Sequence, residues 1–229
     1  MTEAVPPQWT RATFETLPHR RLSRGSRLKP AVWHVDGPAG PVLVKDTAQL
    51  PAAGRWIGRW LLNREAGLMR RLAELPEVPD VLARIDRDAL VYSLVPGEPL
   101  DRERFRVDPA DLTSRLREIV RRMHARGVYH LDLHQRQNIL VGAGGELHLV
   151  DFGAAVALGP FGRALLGPLL AWVDGQAVLK YLARFAPECL TRDEARQVLR
   201  FRRWRKLWIL APRHSRRERD AALHRLRDG

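Results

Sequence analysis

The chain has 229 residues, 45% of them apolar and 28% charged, and a formal net charge of +13. That is enough chain for one domain or for a domain of two lobes, with enough apolar content to bury a core. A single cysteine, Cys189, excludes an internal disulfide and a cysteine metal cage, and no apolar run approaches the roughly 18 residues of a membrane span.

Residues 1–10 hold no basic segment followed by an apolar run, so no signal peptide is expected and the composition points to a cytoplasmic protein. The first 17 residues read as irregular. Two β-prone pieces follow, at 31–35 and 41–45, separated by Asp36-Gly37-Pro38 in the manner of a hairpin. A helical pattern runs from 54 to 75, with Trp56, Trp60, Leu61, Leu68 and Leu72 as its apolar positions, and Pro76 and Pro79 end it. The two tryptophans read as core or lobe-interface residues. Further β-prone runs at 81–85 and 89–95 lead to Pro96-Gly97-Glu98-Pro99, a turn and a lobe boundary.

Asp108-Pro109 opens a second helix with Leu112, Leu116, Ile119, Val120 and Met123 on one face. It stops near Gly127. Short strands at 139–141 and 147–150 flank the 142–145 turn. Helices are then expected at 162–185 and 191–210, ahead of a basic end. This order predicts an α+β protein of two lobes: 1–95, a sheet with one long helix, and 96–229, mainly helical. The two are expected to share one active cleft.

The motif that carries chemistry is His130-Leu131-Asp132-Leu133-His134-Gln135-Arg136-Gln137-Asn138, followed by Ile139-Leu140-Val141 and then Asp151-Phe152-Gly153. It resembles the catalytic loop and the Asp-Phe-Gly motif of the protein-kinase-like superfamily. Upstream, Val42-Leu43-Val44-Lys45 resembles the strand that carries the ATP-binding lysine, and Glu65 on the first long helix fits the glutamate that pairs with it. The resemblance covers residues 20–155.

The resemblance implies a two-lobed kinase-like fold and transfer of the γ-phosphate of ATP to a hydroxyl, with magnesium. Lys45 would hold the α- and β-phosphates and Glu65 would orient it. Asn138 and Asp151 would supply hard oxygen ligands to Mg2+, and Asp132 would accept the acceptor's proton or orient its hydroxyl. Arg136 would neutralise the γ-phosphate. His130 would brace the loop, and His134 reads as a loop residue and no ligand.

Three features depart from the pattern. Asn138 follows Asp132 by six residues where the family has five, so the loop holds one extra residue. No G-x-G-x-x-G precedes Lys45; the nearest candidate is Ser23-Arg24-Gly25-Ser26-Arg27, where Ser26 would contact phosphate beside the amides of the turn. Ala186-Pro187-Glu188 reads as a helix break, with too little chain behind it for a peptide-docking lobe. That reduced helical region resembles the small bacterial kinases of lipopolysaccharide core sugars and the RIO-type kinases.

The acceptor is accordingly expected to be an envelope glycolipid sugar; the alternatives are a protein Ser/Thr, as for a RIO-like kinase, and none at all, as for a nucleotide-binding pseudokinase. Residues 191–229 carry thirteen Lys/Arg against five Asp/Glu, a net of +8. Such a tail suits phosphate-rich partners or is simply a solvated helix. Its Trp204 and Trp208, set among arginines, either lie on the anionic cytosolic face of an inner membrane or pack on the second lobe. DNA is not an expected partner.

Overall fold

The computed structural model describes residues 9–26, 28–205 and 216–227. They form two compact units, Met1–Val95 and Pro96–Gly229.

The first unit opens with a short helix, α1 (Arg11–Thr16), where the sequence reads as irregular. Six residues are too few to display a helical period. What makes the helix is its cap and one anchor: the Thr10 side chain accepts the Thr13 N–H, and Phe14 is buried with Val35, Val42, Val44, Ala89 and Val91. Strand β1 (His19–Ser23) is exposed along its whole length, so no alternation announces it. It is a short, basic edge, a form that discourages pairing with other chains.

The expected hairpin is formed by β2 (Ala31–Gly37) and β3 (Gly40–Asp46). Helix α2 (Ala52–Arg71) follows, then β4 (Val81–Arg84) and β5 (Ala89–Ser93). The strands make one antiparallel sheet in the order β1-β2-β3-β5-β4. The buried face of α2 is Gly58, Leu62, Glu65, Ala66, Leu68 and Met69. Trp56 and Trp60 lie off that face, 72% and 56% exposed, and are not core residues. The apolar period of this helix has two possible phases, and packing chose the one through Leu62.

Two ion networks tie the helices of this unit to its sheet. Arg59 of α2 makes two bonds to Asp88, at 2.6 and 3.0 Å, and Thr47 Oγ1 donates to the same carboxylate at 3.1 Å. The Arg59 hydrogen bond holds the Asp88 carboxyl below its ordinary range. Arg11 of α1 bridges Asp46 at 2.6 Å and Asp86 at 2.7 Å.

The second unit begins with β6 (Glu98–Pro99), which pairs with β8. Helix α3 (Arg102–Val107) is capped by Asp101, and α4 (Pro109–Ala125) by Asp108 with proline in its first turn. All five expected apolar positions of α4 are buried. Strand β7 (Val128–Tyr129) leads into the 130–138 loop, and β8 (Ile139–Val141) and β9 (Leu147–Leu149) form the expected hairpin. Strand β10 (Val156–Ala157) pairs back onto β7. Helix α5 (Pro160–Phe185) ends at Ala186, where a 3-10 turn (Pro187–Cys189) breaks the path. Helices α6 (Arg192–Arg205) and α7 (Arg216–Arg227) follow. The side chains of Trp204 and Trp208 lie outside the described residues. No described helix is long and apolar enough to cross a membrane.

The two phases of apolar helix surface predict opposite mutational outcomes. Leu116→Ala, at a fully buried position of α4, is expected to cost about 3 kcal/mol in chemical denaturation. Trp56→Ala is expected to stay within about 0.5 kcal/mol of the parent.

Candidate functional site

The sequence-predicted residues divide between the units. In the first, Lys45 stands on β3, paired across the sheet with Val32 and Leu90. Its ammonium donates to Glu65 Oε1 at 2.6 Å. The Lys45 side chain is 16% exposed and that of Glu65 6%, so this is a largely desolvated pair and not a surface salt bridge. The Tyr92 ring, whose centroid lies 5.4 Å from Nζ, walls the pair on one side. Six residues earlier on α2, Arg59 is held by Asp88 of the β4–β5 turn.

Ser26 sits in the turn between β1 and β2, the place of the candidate phosphate loop. Its N–H donates to Lys29 O at 3.2 Å, and its Oγ accepts the Lys29 N–H at 3.4 Å. Gly25 is required here: its φ is +71°, and a Cβ would lie 2.4 Å from Lys29 O. The exposed Ser26 hydroxyl, not its amide, is the group this turn presents outward.

In the second unit the 130–138 loop is folded on itself. Asn138 Nδ2 donates to the Asp132 carbonyl at 3.0 Å and to its carboxylate at 3.1 Å. Two successive turns, Gln135 N–H to Asp132 O and Asn138 N–H to Gln135 O, take up the extra residue. The Gln135 side chain donates to Asp132 Oδ2 at 2.5 Å, and His134 Nδ1 lies 3.2 Å from Oδ1. His134, read as an idle loop residue, therefore faces the candidate base. Arg136 opens a 3-10 turn (Arg136–Asn138) and is exposed.

Asp151 follows β9 with φ +61°, a left-handed conformation uncommon for a non-glycine residue. Its Oδ1 accepts the Gly153 N–H at 3.3 Å, and the residue is exposed. The Val150 carbonyl just before it lies 3.1 Å from His130 Nε2, which serves as the donor, and the Val150 N–H donates to the Asn138 carbonyl at 3.0 Å. His130 thus braces the loop against the segment that carries Asp151. Because Asn138 Nδ2 is committed to Asp132, Oδ1 is the atom it offers a cation. An amide oxygen and an exposed carboxylate are the hard donors magnesium takes alongside water and phosphate oxygens. No cluster of three His, Cys, Asp or Glu side chains is assembled among the described residues.

Sequence reading missed the group that holds the loop. Asp174 of α5 is 1% exposed. It accepts the His130 N–H at 2.9 Å and the Leu131 N–H at 2.7 Å, and it lies 2.9 Å from His124 Nε2 at the end of α4. Leu131 has φ +62°, a conformation that needs such a clamp. Six and seven residues on, Lys180 Nζ donates to the His134 carbonyl at 2.7 Å and the Tyr181 hydroxyl to the Leu133 carbonyl at 2.8 Å. Burial pulls the Lys180 ammonium below its ordinary pKa and pushes the Tyr181 phenol above its own. The one available signal was a lone carboxylate in the apolar run around Asp174.

Among solved structures the chain is similar to the Rio2 kinase from Chaetomium thermophilum, solved as an ADP/Mg2+-phosphoaspartate complex. Sequence identity is 19% and the TM-score 0.53. The match covers 92% of this chain and 61% of that one, so the chain spans about three fifths of that protein's length. No protein-family model and no curated protein sequence matches the chain. The structural likeness, with an antiparallel sheet crossed by one long helix and followed by a mainly helical unit, makes the fold protein-kinase-like with RIO-type resemblance.

Two outcomes are expected at the loop. Asp174→Ala strips the acceptor from a buried N–H group, that of His130, and a half-buried one, that of Leu131, and should cost about 3 kcal/mol. Hydrogen exchange should quicken at the His130 and Leu131 amides before it does in α4 and α5. The second outcome concerns pH. Burial keeps the His130 imidazole below its ordinary pKa and so neutral in the folded chain. The unfolded chain takes up that proton near the ordinary histidine value of about 6.5. The contribution to stability is therefore complete above that pH and lost as pH falls below it. Denaturation midpoints taken on both sides should show a slope that His130→Gln removes.

Proposed function

We propose that this chain is an ATP- and magnesium-dependent phosphotransferase that moves the γ-phosphate of ATP to a hydroxyl. The observation that carries the reading is the Lys45–Glu65 pair, drawn together from β3 and α2 at 2.6 Å and largely desolvated. A pair this dry contributes little net stability, whereas an oriented ammonium is what nucleotide phosphates need. Lys45 holds the α- and β-phosphates; Ser26 contacts phosphate through its hydroxyl.

In the second unit Asp132 receives the acceptor's proton as the acceptor oxygen bonds to phosphorus and the bond to the ADP oxygen breaks. Gln135, His134 and Asn138 hold its carboxylate in place. Arg136 neutralises charge on the transferred group. Asn138 Oδ1 and Asp151 would hold magnesium, which would supply charge neutralisation for the phosphates.

The acceptor we favour is a sugar hydroxyl of an envelope glycolipid, reached on the cytosolic side of a membrane. Its support is the formal net charge of +13, which suits an acceptor set among phosphate groups at an anionic surface. The likeness to Rio2 favours a second acceptor, a protein Ser/Thr. Because that kinase was captured with a phosphoaspartate, an acyl phosphate on aspartate is a further product to look for.

The test is transfer from γ-labelled Mg·ATP into a lysate split into lipid-glycan and protein fractions. Asp132→Asn should lower the rate on the order of 100-fold or more, with Mg·ATP binding retained. Label in lipid-glycan supports the sugar acceptor. Acid-stable label in protein points to Ser/Thr, and hydroxylamine-labile label to an acyl phosphate. Nucleotide binding without Asp132-dependent label would leave a pseudokinase and overturn the transferase reading.

A further inference from the structure

The two halves of α5 face different surroundings. From Gln176 to Ala183 every residue is buried. The first turns are the reverse: Phe161 is 82% exposed, Leu165 67%, Leu166 44% and Leu169 42%. Phe161, Leu165 and Leu169 recur at i, i+4 and i+8 and share a face, with Leu166 beside them. Single apolar residues on a surface call for no explanation, but four large ones on about two turns of one helix form a patch of the kind that marks an interaction site. Pro168 lies inside the helix and removes one of its backbone bonds, so these turns are set off from the buried half.

Three observations select the occupant. Exposure is broad, since Arg163, Ala164 and Pro168 are exposed too, while Gly167 is buried against Tyr129 on the opposite side; the turns are seated on their unit by that side and leave a wide apolar face for a soft medium. The charge is complementary to an anionic surface. Residues 152–173 contain no acid, and their single charge is Arg163. Arg163 packs against Gly127, next to Arg126 and the end of α4, where Arg121 and Arg122 share one acid, Glu118, so the surroundings keep a net positive charge, and the whole chain is +13. Finally, no described helix can span a bilayer, so a helix of this kind would lie in the interface, as basic amphipathic helices do.

We infer that the first turns of α5, around Phe161, Leu165, Leu166 and Leu169, dock on an anionic phospholipid surface. The consequence lies further along the same helix. Asp174, which clamps the 130–138 loop, is nine residues beyond Leu165, or about 14 Å along the helix at 1.5 Å per residue. Docking of these turns would bring the helix that clamps the 130–138 loop to the bilayer surface, where the sugar of a glycolipid stands. That purpose rests on the acceptor reading above; the docking itself does not.

The experiment is co-sedimentation of the full chain with vesicles of phosphatidylglycerol in phosphatidylcholine and, in parallel, of phosphatidylcholine alone. The parent should pellet with the anionic vesicles and less so as salt is raised. The double variant Phe161→Asp/Leu165→Asp should lose partitioning on the order of 100-fold, since each large apolar side chain withdrawn from lipid is worth roughly tenfold or more. Val107→Asp on α3, at another fully solvated apolar position, should pellet like the parent. Circular dichroism and Mg·ATP binding check that the variants are folded.

A parent chain that stays in the supernatant with anionic vesicles overturns the inference. So does a double variant that pellets like the parent, which would assign binding to another surface such as the basic tail. If light scattering shows that the parent is a dimer and the double variant a monomer, the patch joins two copies and the inference fails. A chain that docks but transfers no phosphate leaves docking standing and removes the transferase reading.

Discussion

A buried carboxylate organises the second unit. Asp174 lies in an apolar helix, where an uncompensated charge would be costly. Three donors from two other segments surround it: two consecutive backbone N–H groups of the 130–138 loop and the imidazole of His124. That demand explains why the loop accepts a left-handed Leu131. Lys180 and Tyr181, on the next turns, take the carbonyls of His134 and Leu133. One helix thereby holds the loop by its donors at one end and by its acceptors further along, with Asp132 suspended between.

The first unit solves a similar problem with charge pairs. A lysine and a glutamate that must meet at 2.6 Å come from a strand and a helix joined only by a short connection. Arg59 to Asp88, and Arg11 to Asp46 and Asp86, dock helices on the sheet at defined points. Pairs this poorly solvated add little to net stability because desolvation offsets their attraction. Their effect is positional: they fix where α1 and α2 meet the strands and turns of the sheet.

Helix α5 joins the two kinds of surface on which the functional reading depends. Its second half is core and carries the clamp; its first half is apolar and exposed, and carries no acid. A proline marks the change between them.

Local patterns settled much of this protein in advance. The α+β order, the 31–46 hairpin and the buried face of α4 follow from apolar periodicity and from turn and cap residues whose energetics act within a few positions. The loop from His130 to Asn138 and the Asp151 motif were legible because their spacing is itself the signal. What sequence left open were contacts made at long range. The phase of α2 had two answers until Leu62 packed and left Trp56 and Trp60 in solvent. Helix α1 depends on a cap and one buried phenylalanine. Asp174 is one carboxylate among many until the fold brings it against residues more than forty positions earlier. Spacing along the chain records local geometry, but burial and the pairing of distant charges exist only once the chain has folded, so they were decided by tertiary structure alone.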